Sequence, residues 1–179
     1  MKRVAVMALA MLVIAGACKK KSETAANLNA ANKVAVRRVN LYYETAQMLL
    51  APEPRNVALP ESAAAAIPVV LRELVKGPAA PTSLRLFPAD TVVRGAYLLP
   101  EGTVVVDLGG KTLTDGWGTG SHQELMAVYS VVQSVTANFP DAKRVRFVVN
   151  GTPAETLAGH VSLSKSLGPL SYLVDPRAR

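Results

Sequence analysis

The sequence predicts an α+β domain, a split βαβ arrangement in which two helices cover one face of a mostly antiparallel sheet. Its elements run in the order β-α-β-β-α-β. Three stretches carry this prediction: a hairpin signature in "TVVRGAYLLPEGTVVVDLG", an amphipathic run in "SHQELMAVYSVVQSVTANFP" and an alternating strand in "KRVRFVVNG". Half of the 179 residues are apolar and 5% aromatic, so the core is built mainly from Val, Leu and Ala.

The first strand is read in "VAVRRVNLYYE", where Val39, Leu41 and Tyr43 alternate after Val34 and Val36. The phase shift across Arg37 and Arg38 marks either a bulge or the strand's true start. "MLLAPEPRNVALPES" carries three prolines and is expected to be a loop. "SAAAAIPVVLRELVKGP" is helical, with Val70, Leu71 and Leu74 on its apolar stripe. It begins at Pro68 as the first helical residue, or at Ser62 with a kink at Pro68, and ends at Gly77-Pro78. Pro100-Glu101-Gly102 turns the hairpin, whose second strand sets Val104, Val106 and Leu108 opposite in face to Val105 and Asp107. "GKTLTDGWGTG" is expected to be a loop. In the second helix, Ser121 and Glu124 read as a capping box, followed by a stripe of Leu125, Val128, Tyr129, Val132, Val135, Thr136 and Phe139. Pro140 stops it. Val145, Phe147 and Val149 face the core from the last strand, and "HVSLSKSL" is at best a short edge strand.

The net charge of +7 arises at the chain ends. Thirteen basic and thirteen acidic residues share the stretch 22–175, so the body is formally neutral. A neutral body argues against a nucleic-acid groove. One cysteine excludes an internal disulfide framework and any multi-cysteine zinc site.

The N-terminus, "MKRVAVMALAMLVIAGACKKK", has a basic start and fourteen uncharged residues from Val4 to Ala17. As a helix these span ~21 Å, short of a hydrocarbon core of ~30 Å, so residues 1–17 read as a signal peptide. "AGAC" resembles the lipobox of bacterial lipoproteins, with Ala15 where leucine is usual. The resemblance implies that Cys18 becomes the acylated first residue, carrying palmitate-type chains that each contribute ~0.8 kcal/mol per buried CH₂. Lys19 to Lys21 would add membrane-proximal charge. Residues 18–33 read as a flexible tether, 34–170 as the folded domain and 171–179 as a C-terminal tail.

In this order, "LYYE", "LLAPEPRNVALPES", "LRELVKGP", "VVRGAYLLPEGTVVVDLGG", "GSHQELMAVYSVVQSVTANFP" and "VRFVVNG" resemble the GerMN domain of sporulation and spore germination proteins. The resemblance implies a small module on a membrane-anchored, extracytoplasmic envelope protein, similar in topology to the ring-building motifs of secretion-type assemblies. It implies binding or scaffolding, with self-assembly or an envelope protein as partner, no cofactor and no established catalytic residue.

Several side chains invite chemistry nonetheless. His122 and Glu124 suggest a metal or acid–base pair beside Trp117, but residues two apart on a helix do not face each other. His160 could approach His122, yet two histidines lack a third ligand, and no metal site is expected. Asp107 could serve as a general base, or as a solvated or turn-bonding residue. Gly116, Gly118 and Gly120 precede a helix N-terminus that could hold an anion, without fitting a phosphate-binding fingerprint. Trp117 reads either as an interface anchor or as a cap on the sheet. The expectation is a non-enzyme; the alternatives are an envelope hydrolase using Asp107 or His122, and a small-ligand-binding lipoprotein.

Overall fold

A computed structural model describes residues 33–178. The signal segment, nearly all of the tether and Cys18 lie outside the described residues. The α+β class holds, but the strands form two sheets rather than one. The first sheet has the order β2-β1-β3, from β1 (Val34–Thr45), β2 (Leu50–Pro60) and β3 (Ser83–Leu84). The second has the order β4-β5-β6-β7, from β4 (Val92–Leu98), β5 (Thr103–Gly109), β6 (Arg144–Val149) and β7 (Thr152–Pro153).

The proline-rich segment expected to be a loop is strand β2, paired antiparallel with β1 from Val34↔Pro60 to Glu44↔Leu50. The pairing is continuous, so Arg37 and Arg38 mark no bulge. The prolines are tolerated because of their register. Asn40 N–H and Tyr42 N–H point away from β2, to the Asn138 Oδ1 and Ser134 Oγ atoms, both at 2.9 Å. Directly opposed antiparallel residues share that orientation. Pro54, Pro52 and Pro60, opposite Asn40, Tyr42 and Val34, therefore occupy the positions where no ladder donor is needed.

Helix α1 (Ala63–Val75) starts at Ser62, whose hydroxyl accepts from Ala65 N–H, and runs through Pro68. The carbonyl that Pro68 leaves unpaired belongs to Ala64, on the exposed side. At its C-terminus the free carbonyls are taken up by β-strand side chains. Arg55 donates to the carbonyls of Glu73 and Gly77, and the Tyr43 hydroxyl lies 3.0 Å from those of both Leu74 and Gly77. Arg85 donates to Val75 and Lys76.

The expected hairpin forms, with Gly102 at φ 87° and its N–H on Leu99. A register shift lies in β4 between Val93 and Gly95. Strand β6 pairs parallel to β5 after a crossover through a short helix α2 (Lys111–Asp115), where a loop was expected, and helix α3 (Ser121–Asn138). Helix α3 touches β1 of the first sheet and β6 of the second, α1 packs on β2 and β4 and against α3, and α3 is buried on almost all faces from Met126 to Val135. The "HVSLSKSL" segment supplies one antiparallel bridge, Leu167 to Val145. Beyond it Leu173 is buried, and Asp175 N–H donates to the Leu50 carbonyl at 2.9 Å. No described helix is long and apolar enough to cross a membrane.

Candidate interaction site at the head of the long helix

The head of α3 gathers most of the side chains singled out in the sequence, in different roles from those expected. Ser121 is the first helical residue; Gly120 is the N-cap and supplies no side-chain bond. Glu124 closes no capping box. It is fully buried, and its carboxylate accepts four backbone N–H groups from one loop. Leu157 and Ala158 donate to Oε1 at 2.8 and 2.9 Å, and His160 and Val161 donate to Oε2 at 2.8 and 3.2 Å. A capping box would satisfy one N–H; this arrangement satisfies four.

The His160 ring places Nε2 3.1 Å from the Thr119 carbonyl, which can only accept, so Nε2 carries the proton. Loop 155–161 is thereby fastened to the segment ahead of α3. His122 turns elsewhere: its Nε2 donates to Glu44 Oε1 at 2.6 Å, and Glu44 is almost wholly buried in β1. The two histidines therefore serve separate partners. Among the described residues no cluster of three His, Cys, Asp or Glu side chains could hold a metal ion.

Trp117 is half-buried and stacks on Phe87, with ring centroids 6.2 Å apart at 22°. Its exposed part faces a cleft of about 320 Å³ lined by Gly116, Trp117, Gly118, Leu157, Ala158 and Gly159. The indole thus packs on the core and lines an open surface at once. Asp107 is separate from this region, on β5, where Oδ2 meets Arg94 Nε at 3.3 Å and Oδ1 accepts Gly151 N–H at 3.0 Å.

Glu44 and the 157–161 loop were missed in the sequence. One signal for Glu124 was present: it stands four and eight residues before Val128 and Val132, on the buried stripe.

A family model described as "Germane: Sporulation and spore germination" matches residues 40–155. The chain belongs to this family. Two solved structures share the Germane-type fold. One is described as the tandem GerMN domains of the sporulation protein GerM from Bacillus subtilis; it has a TM-score of 0.55 and 19% identity, covering 75% of this chain and 46% of that one. The other is a candidate lipoprotein from Clostridium perfringens, with a TM-score of 0.53 and 14% identity, covering 75% of this chain and 87% of that one. No curated protein sequence matches significantly. In this chain the Trp117 loop and the 155–161 loop lie side by side at one end of α3.

Proposed function

We propose that this protein is a lipid-anchored, non-catalytic envelope module that binds a protein partner through the Trp117 cleft. The observation that carries the reading is the commitment of its titratable candidates. Glu124 accepts four N–H groups, Asp107 is held by Arg94 and Gly151, and His122 is turned through Nε2 onto Glu44. Among the described residues no hydroxyl nucleophile is hydrogen-bonded to His122 or His160, and Asp107 and Glu124 face no second carboxylate at a shared cleft. A half-exposed indole beside a shallow apolar cleft suits a contact anchor instead. The "AGAC" motif and the likeness to a candidate lipoprotein support anchoring through acylated Cys18.

A photo-crosslinking residue at position 117, introduced into the membrane-borne protein in cells, tests the contact surface. One discrete adduct, absent with the same residue at exposed Lys165, is expected; no adduct at position 117 overturns the reading. Cys18→Ser should move the protein from the membrane to the soluble fraction, assayed by ultracentrifugation and immunoblot. A variant that stays membrane-bound with its signal uncut would make residues 4–17 the anchor.

A further inference from the structure

The four-stranded sheet has one face that no described element covers. Its inner face is formed by Ala96, Val104, Val106, Leu108, Val145 and Phe147, all buried. The pleat turns Tyr97, Val105, Asp107, Arg144, Arg146 and Val148 the other way. In register, Tyr97 stands opposite Val105, and Val105 opposite Arg146, so an aromatic ring and a guanidinium flank one valine across three strands.

Two features set this face apart from an ordinary solvated sheet surface. First, Tyr97 is 63% exposed yet lies along its own strand: a Cβ at Gly95 would stand 2.9 Å from its hydroxyl and 3.0 Å from its ring edge. The glycine provides a floor on which the ring rests, with the ring's other side open to solvent. Second, two of its guanidinium groups are uncommitted. Asp107 is engaged by Arg94 and Gly151, whereas Arg144 and Arg146 make no ion pair or side-chain hydrogen bond among the described residues. Two residues apart on one strand, these guanidinium groups spring from Cα atoms ~6.6 Å apart on the same face. Lys143 adjoins them, while acidic Glu101 and Asp141 lie at the hairpin end of the sheet.

We propose that this face binds an acidic glycan strand. Carboxylates on successive sugars would be held by Arg144 and Arg146, and the apolar side of a sugar ring would stack on Tyr97. Guanidinium groups match carboxylate geometry with paired N–H donors, which a bare positive field does not require. The flat aromatic accounts for the glycan part of the ligand, since an anionic peptide needs the arginines but no ring platform. The surface is distinct from the Trp117 cleft, so a glycan and a protein partner could be held together.

The test is a titration of the full-length chain in detergent with polygalacturonate, neutral dextran and poly-L-glutamate, at low and physiological salt. Polygalacturonate should bind, more weakly as salt rises, and dextran should not. Arg144→Gln with Arg146→Gln should weaken binding roughly tenfold or more. Tyr97→Ala should weaken polygalacturonate binding several-fold and leave polyglutamate unchanged; Gly95→Ala, which lifts the ring, should act in the same direction. All four side chains or positions lie on the surface, and far-UV circular dichroism checks that the variants fold. Trp117→Ala should bind polygalacturonate normally, so loss of the protein contact and loss of the glycan contact are separable. The proposal is overturned if wild type binds no acidic polymer, if the double arginine variant binds as wild type does, or if Tyr97→Ala changes neither or both of the acidic ligands equally.

Discussion

Glu124 shows how one buried carboxylate can organise a loop that has almost no regular structure. Four backbone donors of residues 157–161 converge on it; without it the Leu157 N–H would be buried unpaired and the other three left partly buried. Hydrogen bonds to a charged acceptor are each stronger than neutral ones, and orphaned buried donors carry a desolvation penalty. Glu124→Ala should therefore lower unfolding free energy by about 3–5 kcal/mol. Glu124→Gln, which turns an NH₂ group towards two of the donors, should cost about 2 kcal/mol. Urea denaturation measures both; a loss below about 1 kcal/mol for the alanine variant would contradict the account. Sequence spacing could not reveal this role, because a glutamate three residues after a serine at a helix start satisfies the capping pattern equally well. The choice was made by a loop more than thirty residues away.

At the scale of elements, β2 and the end of α1 illustrate what local reading does and does not reach. Helices α1 and α3, the hairpin and β6 were legible because their apolar periodicity is self-contained. Strand β2 was not, since whether a proline breaks a strand depends on which edge its missing N–H faces, and that is a property of the pairing. The same pairing sets Glu53 and Arg55 beside the C-terminus of α1. Burial pushes the Glu53 carboxyl upwards, but the N–H groups of Ala79 and Ala80 together with Arg55 outweigh it and hold the carboxyl below its ordinary 4.5. A depressed folded value means that the stabilisation is fully present above about 4.5 and is lost as pH falls through the folded value. The urea midpoint should therefore be flat near neutrality and drop in acid, and Glu53→Gln should remove part of that drop while lowering the neutral plateau. Identical acid slopes in the two proteins would show that Glu53 does not carry the dependence.

For the whole molecule, the two sheets are joined by α1 and α3, each of which packs on both, and by the C-terminal segment across them. Leu167 exchanges both backbone bonds with Val145 of β6, at 2.7 and 2.8 Å. Gln133 of α3 then donates to the Leu170 carbonyl, and Val174 and Asp175 meet Leu50 of β2. One strap of nine residues, 167–175, thus touches the second sheet, the central helix and the first sheet in turn. The sequence did not suggest this, because the segment lacks periodicity and the bonds that tie it to the sheets and to α3 are long-range. A strap that couples two sheets should matter more for cooperativity than its few contacts imply. Ending the chain at Ser166 should lower the thermal midpoint and separate two probes that coincide in the intact protein. Trp117 fluorescence reports the head of α3, while far-UV circular dichroism reports all elements together. Coincident transitions at an unchanged midpoint would mean that α1 and α3 hold the sheets together without the strap. Separated transitions would assign to the last residues the role of making two sheets unfold as one.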